Sequence, residues 1–256
     1  IESVKTPDGR FKLAQLVRAN RELERVCRAY RLPCVSGKDS MKNDYGTGEK
    51  KISIPPTLLF SLFGDQPDVR YTATSDFKNA GDKVYLVGRS HHELGASEIA
   101  FMLKESGQTT GIGGTPPQLP NPEQNLNTYR ALSTAIQSGI IQTAHDCSEG
   151  GVGVAVAEMC IGGRLGATID LDGTGDEHLW ARLWGESLGR FIVAVAPEKE
   201  QEFTAWMSGH PITVLGEVVE GPTLTITDGY TEIASTNVEE MVASWQSTLD
   251  MTGGVE

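Results

Sequence analysis

Hydrophobic and polar positions follow patterns that predict a series of helices and strands. Apolar residues recur at helical spacing over 11–30, where arginine and glutamate residues supply the opposite, charged face. Short apolar runs predict strands at 33–36, 83–88, 140–144, 167–171, 191–195 and 213–218, with a longer strand over 50–63. Further helices are predicted at 98–103, 126–138, 152–160, 197–207 and 238–248, and a hairpin over 223–234. The alternation of strands and helices in the second part predicts a layered α/β fold.

Composition and charge narrow the class of protein. The 256 residues are 39% hydrophobic and 22% charged, an ordinary globular balance, and the net charge of −12 argues against a nucleic-acid partner. No run approaches the roughly 18 apolar residues of a membrane helix. The first residues are not a signal peptide and look like a cut inside a longer chain. Four cysteines without a CxxC pair form no disulfide framework, so we expect a reducing cytoplasm.

The best candidate for a functional site is the polar loop at 145–151, which joins an apolar strand to an apolar helix. Glycines let a ligand approach the backbone, and a helix start offers N–H donors and a positive dipole end, which suit phosphate. Asp146 could hold a magnesium ion that bridges phosphates, and Ser148 could bond a phosphate. A plain helix cap at Ser148, followed by a tight joint at Gly150 and Gly151, explains the same residues equally well.

A second loop, at 37–43, has a similar design. It follows a predicted strand, begins at Gly37 and continues with Lys38, Asp39 and Ser40. The lysine could supply a point charge for phosphate and the aspartate a metal ligand. Turn chemistry alone favours a solvated hairpin turn.

Two other residues invite functional interpretations. Cys147 stands next to His145, but side chains of neighbouring residues point apart, so a small buried thiol is favoured over a nucleophile. Arg190 precedes a predicted strand and could contact an anion, although the sequence favours a surface arginine.

Seven segments, in order, resemble one family. They are Leu16–Arg18, Pro33–Ser40, Pro56–Leu59, Asp76–Gly88, Leu94–Glu98, Ala144–Met159, and Gly185–Ser187 with Arg190 and Phe191. Together they resemble the C-terminal part of the phosphoribosylformylglycinamidine synthase family, within the aminoimidazole ribonucleotide (AIR) synthetase superfamily. The resemblance spans nearly the whole chain.

The resemblance implies a fold and an activity. Residues 1–75 would be the tail of an N-terminal, barrel-forming domain, and 76–256 a complete C-terminal α/β domain. The family is an ATP- and Mg²⁺-dependent C–N ligase of purine biosynthesis that converts formylglycinamide ribonucleotide and glutamine-derived ammonia to formylglycinamidine ribonucleotide. Its partners would be the rest of the synthase chain and a glutaminase subunit or domain.

The family's site residues carry over by position. Gly37 and Ser148 correspond to ATP contacts, Ser40 to a substrate contact and Asp146 to a metal ligand. Lys38 stands where smaller members have a magnesium-ligating asparagine, and an ammonium group cannot ligate a metal. Further candidate contacts in the same motifs are Lys38, Asp39, Ser97, Gly150, Gly151 and Arg190. Ala96 replaces a commoner glycine.

Several expected parts of the enzyme are absent from this sequence. They include the general-base histidine, the early metal ligands of the second N-terminal domain and a glutaminase nucleophile, so we expect no full reaction from this chain alone. Another superfamily ATPase, such as the AIR or selenophosphate synthetases, is one alternative. A non-catalytic assembly module is another, in which the strands at 33–36 and 50–63 pair with another chain, including a second copy.

Overall fold

The computed structural model describes residues 7–37, 44–46, 52–53, 57–108, 112–176 and 178–247. The chain divides into two compact units: unit 1 holds Ile1–Pro67 and Asn121–Leu126, and unit 2 holds Asp68–Pro120 and Asn127–Glu256. The elements in chain order are α1 (Pro7–Tyr30), β1 (Asp44–Tyr45), β2 (Ile52–Ser53), β3 (Lys83–Val87), α2 (Glu98–Glu105), α3 (Pro122–Gln137), β4 (Thr143–Asp146), α4 (Gly151–Gly163), β5 (Gly166–Asp170), α5 (Leu179–Trp184), β6 (Phe191–Val195), α6 (Glu200–Trp206), β7 (Ile212–Val219), β8 (Thr223–Asp228), β9 (Thr231–Asn237) and α7 (Val238–Trp245).

Unit 2 is built on a seven-stranded mixed sheet with the order β4-β6-β3-β7-β5-β8-β9. The β5–β8 pair is parallel, and the other neighbours in this sheet are antiparallel. Strand β3 lies near the centre, and its four apolar residues, Val84 to Val87, are buried on both faces. The expected layered α/β class is confirmed, with a largely antiparallel sheet.

Helices cover both faces of this sheet. Val84 and Leu86 pack in one core with residues of α4 and α7, including Val156 and Val242. Tyr85 and Val87 point to the opposite core, which residues of α3 and α6 complete. This alternation follows from the two-residue period of a strand.

Unit 1 contains the long helix α1 and the short antiparallel pair β1–β2. The prediction of a strand at 33–36 is wrong, because residues 32–37 form neither helix nor strand. Of the strand predicted at 50–63, the described residues contain only β2. Residues 57–63 form no ladder with any described strand, and Leu59 and Phe63 are about nine-tenths exposed. An apolar run becomes a strand only where a partner backbone accepts its hydrogen bonds.

Most remaining predictions in unit 2 are confirmed with shifted ends. The predicted strand at 140–144 is observed as β4, three residues later. Ile140 and Ile141 are buried but belong to the turn after α3, where the Ile140 amide bonds the Ala135 carbonyl. Helix α5 was not predicted. Among the described residues, no helix combines the length and apolar character needed to cross a membrane.

Candidate functional site

Strand β4 carries the 145–151 loop out of the sheet. The strand pairs with β6, and after it the Cys147 amide still bonds the Arg190 carbonyl at 3.0 Å. Cys147 points into the core, whereas Asp146 and Ser148 on either side are exposed. This alternation presents the carboxylate and the hydroxyl together, and the Ser148 hydroxyl donates a hydrogen bond to Asp146 Oδ2.

The Asp146 carboxylate is held in its ionised form. The Ser148 hydrogen bond lowers the pKa of Asp146, and this effect outweighs the opposing effect of partial burial. His145 Nδ1 lies 3.6 Å from Asp146 Oδ1, and His145 Nε2 lies 2.9 Å from Glu158 Oε2 on α4. An ionised and largely exposed carboxylate is the kind of oxygen ligand that Mg²⁺ prefers.

Two glycines make the sharp turn from the loop into α4. Gly150 and Gly151 both have positive φ, +76° and +63°. A Cβ atom on Gly151 would lie 2.4 Å from the Gly185 carbonyl oxygen, so the backbones of the loop and of the 183–185 segment are in direct contact. No other residue type fits Gly151 without moving one of these backbones.

The carboxylate of Glu186 stabilises this turn from a distant part of the sequence. Its Oε1 atom accepts a hydrogen bond from the Gly150 amide at 3.0 Å and a second from the Glu98 amide, at the start of α2, at 2.9 Å. One carboxylate therefore complements the positive ends of two helices. The Gly150 amide, which the sequence suggested as a phosphate donor, is therefore already bonded to Glu186.

Two buried amides at the start of α4 have no hydrogen-bond acceptor among the described residues. The Gly151 amide bonds the Ser148 carbonyl, and the first helical bond runs from Val154 to Gly150. Among the residues that the structure describes, the amides of Val152 and Gly153 have no acceptor. The loop thus combines an ionised carboxylate, a hydroxyl and two helix-start amides, which together can bind an oxyanion through a cation.

Two other predicted contacts are buried and already bonded. The Ser97 hydroxyl is 1% exposed, caps α2 by accepting from the Ala100 amide, and donates to the Leu94 carbonyl. The predicted surface position of Arg190 is wrong: its guanidinium is buried and donates to Ser90 Oγ, the Ser187 carbonyl and the Gly185 carbonyl. Arg190 therefore ties the 185–190 segment to the end of β3.

The remaining predicted residues fall into two groups. Lys38, Asp39 and Ser40 lie outside the described residues, and Gly37 is exposed, with open space where a Cβ would project. Cys147 is a buried thiol, as the sequence favoured, and burial raises its pKa to about 11. A thiol in that state is a poor nucleophile at neutral pH.

Glu186 and Glu158 are site residues that the sequence alone does not identify. Glu186 belongs to a motif of the family resemblance, but its two amide partners are 36 and 88 residues away. Glu158 reaches His145 because it lies two turns into α4, on the side that faces the loop. The position of Glu158 two turns into the predicted helix was the only signal for it that the sequence contained.

Comparison with known proteins places this domain in a family. The model of "AIR synthase related protein, C-terminal domain" matches residues 79–229, more than half of the chain. The chain is 34% identical over 246 residues to phosphoribosylformylglycinamidine synthase subunit PurL of Deinococcus radiodurans, which covers 95% of this chain and 32% of that protein. The chain therefore spans about a third of the length of this relative.

Solved structures agree on the fold. Thermotoga maritima PurL complexed with FGAR superimposes with a TM-score of 0.57 at 21% identity, over 68% of this chain and 30% of that one. The same protein complexed with ATP gives a TM-score of 0.53 at 20% identity, over 68% and 28% of the two chains. The chain belongs to the AIR synthase related family, and residues 79–229 match that family's C-terminal domain.

Proposed function

We propose that this chain is part of a phosphoribosylformylglycinamidine synthase, an ATP-dependent C–N ligase of purine biosynthesis. The observation that carries the proposal is the Asp146–Ser148 pair, which β4 presents directly before the glycine start of α4. The 34% identity to PurL over 95% of the chain supports the same activity. In this reaction, formylglycinamide ribonucleotide and ammonia from glutamine would give formylglycinamidine ribonucleotide.

The residues of the loop fit a magnesium nucleotide. Asp146 would ligate Mg²⁺, Ser148 would contact ATP, and the unpaired amides of Val152 and Gly153 would donate to a phosphate. Bound Mg-ATP would supply phosphoryl transfer to the substrate amide oxygen. The chain's own contribution is to position the phosphates and to exclude side chains from the turn at Gly150 and Gly151.

The charge around the loop supports the need for a cation. Asp146, Glu158 and Glu186 all lie at or beside the loop, and Arg190, whose carbonyl accepts from the Cys147 amide, is buried. A bare phosphate would be repelled by three carboxylates, whereas a divalent cation between Asp146 and the phosphates removes the repulsion.

Other parts of the proposal rest on the family alone. Gly37 would contact ATP and Ser40 the substrate, with Lys38 and Asp39 beside them. Residues 1–75 would complete an N-terminal domain, and 76–256 would form the C-terminal domain, in line with the family match over 79–229. We infer a cytoplasmic enzyme that works with a glutaminase partner.

The exposed apolar residues of unit 1 support a further partner. Leu58, Leu59, Phe60, Leu62 and Phe63 are each more than half exposed. We infer that another part of the synthase covers them and that the isolated chain does not catalyse the full reaction. A second copy of the chain is the alternative cover, and sedimentation analysis distinguishes a monomer from a dimer.

The test is calorimetric titration of the chain with Mg-ATP, using Asp146→Asn beside the wild type. We expect the substitution to weaken binding at least tenfold, because it removes the charge that holds the metal. Asp172→Asn, which makes the same change in an exposed turn outside the 145–151 loop sequence, should bind like the wild type. Equal affinity of the two variants would refute the assignment of Asp146.

A further inference from the structure

A pair of thiols lies outside the site described above. Cys27 is in the last turn of α1 and Cys34 follows the helix by four residues, and their Sγ atoms are 3.8 Å apart. Cys34 is exposed and Cys27 is partly exposed. Cys147 and Cys160 are buried instead, and burial raises their pKa values to about 11 and about 12. The two pairs of cysteines therefore differ in access to solvent.

The backbone brings the two sulfurs together. Helix α1 ends in a Schellman motif, in which the Arg31 amide bonds the Arg28 carbonyl at 3.3 Å and the Leu32 amide bonds the Cys27 carbonyl at 3.0 Å. Arg31 adopts the left-handed conformation of this motif, with φ 56°. The chain therefore turns back toward Cys27, and the fixed φ of Pro33 leads directly into Cys34. The proximity of the thiols results from hydrogen-bonded backbone.

A small molecule can reach both sulfurs. They line an open groove of about 720 Å³ between the last turns of α1 and residues 31–34. Leu23 and Leu32 form part of its apolar wall. Arg28, which pairs with Glu24, and Arg31 contribute positive charge near the thiols. Partial burial and the hydrogen bond with Cys34 raise the pKa of Cys27, so the exposed Cys34 is the thiol that reacts first.

We propose that Cys27 and Cys34 form a reversible thiol–disulfide site that is oxidised by a small-molecule disulfide such as oxidised glutathione. The Cys34 thiolate attacks one glutathione sulfur, the glutathione S–S bond breaks, and one glutathione thiolate leaves. The Cys27 thiolate then attacks Cys34 Sγ and displaces the second glutathione thiolate. Two protein thiols are oxidised, one disulfide is reduced to two thiols, and the two protons pass to the released glutathione.

The bond requires a small movement. A disulfide is about 2.0 Å long, so the sulfurs must approach by about 1.8 Å, which side-chain rotation of exposed Cys34 can supply. The bond would fasten the segment after α1 to the helix. Because Gly37 follows Cys34 by three residues, oxidation would also restrict the position of Gly37; this consequence rests on the proposed nucleotide contact of Gly37.

The test exposes the folded chain to oxidised glutathione, alkylates the remaining thiols and maps the peptides by mass spectrometry. We expect one Cys27–Cys34 link that dithiothreitol removes, with Cys147 and Cys160 alkylated only after unfolding. Cys27→Ser should retain one glutathione on Cys34. Cys34→Ser should react at least tenfold more slowly, because the more exposed thiol is absent.

Three results would overturn the proposal. They are no reaction of the folded wild type, a stable glutathione adduct on Cys34 beside free Cys27, and a Cys34–Cys34 link between two chains. A further measurement uses the chain unfolded in urea. Formation of the Cys27–Cys34 disulfide should be at least tenfold slower there if the Schellman motif brings the thiols together. Peptide mapping involves no nucleotide, so its outcome is independent of the Mg-ATP titration.

Discussion

Helices α4 and α7 differ in how the free amides and the positive dipole of their first turns are satisfied. Helix α7 begins at an ordinary cap: the Asn237 side chain accepts from the Glu239 amide at 2.8 Å, and Glu239 and Glu240 complement the dipole. Helix α4 begins at left-handed Gly150, with no side-chain cap and no acidic residue in its first turn. Glu186, from another segment, bonds the Gly150 amide instead.

The difference separates a helix start capped by its own neighbouring side chain from one capped by a distant segment. A local cap uses the first amides for the helix itself, as Asn237 does. At α4, Glu186 supplies the acceptor for Gly150, the buried amides of Val152 and Gly153 have no acceptor among the described residues, and Asp146 and Ser148 precede them in the loop. This arrangement depends on close backbone contacts, so the start of α4 should tolerate substitution less well than that of α7.

The largest expected effect comes from Gly151→Ala. The new Cβ would lie 2.4 Å from the Gly185 carbonyl and would also face a left-handed backbone. We expect a loss of about 3 kcal/mol or more in the free energy of unfolding, since neither backbone can move cheaply. Urea denaturation followed by circular dichroism measures it.

Gly139→Ala is the matched control for that substitution. Gly139 has almost the same φ, +70°, but there is open space where its Cβ atom would project. Only backbone strain should appear there, about 1 kcal/mol. Equal losses in the two variants would mean that the contact with Gly185 does not limit the α4 turn.

Glu186→Ala should have the next largest effect. It removes a charged acceptor from two helix starts at once, and we expect a loss of about 2 kcal/mol. Glu186→Gln keeps a neutral acceptor and should lose about half as much. Hydrogen exchange should become faster at both the Gly150 and Glu98 amides, and faster exchange at only one of them would contradict the shared cap.

Removal of an ordinary side-chain cap should lower stability less than Glu186→Ala does, and it should leave ligand binding unchanged. Ser97→Ala and Asn237→Ala each remove one capping acceptor, so about 1 kcal/mol is expected from either in thermal or urea unfolding. Mg-ATP affinity should stay at the wild-type value in both. A selective loss of affinity in Ser97→Ala would instead support the ligand contact that the sequence suggested for Ser97.

The sequence predicted the elements of unit 2 well because their local patterns agree with their packing. Strand β3 reads as an apolar run and is buried on both faces, so its identity needs little context. The run at 58–63 is equally apolar but forms no strand among the described residues. Its structure depends on a partner backbone, and no periodicity in the run itself specifies one.

The candidate site was predictable only where its parts adjoin in sequence. Asp146, Ser148 and the two glycines lie within six residues, and strand–loop–helix chemistry identified them. Glu186 and Glu158 could not be found in this way, because tertiary structure alone brings them to the loop. Burial of Arg190 was not predictable either: the Ser187 and Gly185 carbonyls are close in sequence, but Ser90, which the tertiary fold brings to the guanidinium, is 100 residues away.

The smallest expected effect is a gain, from Ala96→Gly at the start of α2. Ala96 has φ +61°, where an alanine costs about 1–2 kcal/mol and a glycine costs nothing sterically. Greater flexibility of glycine in the unfolded chain offsets part of the benefit, which leaves a net gain of about 0.5 kcal/mol in the free energy of unfolding. Ala100→Gly, inside α2, should lower the free energy of unfolding by about 0.5–1 kcal/mol. If both substitutions destabilise the fold, then the positive φ of Ala96 carries no strain that glycine relieves.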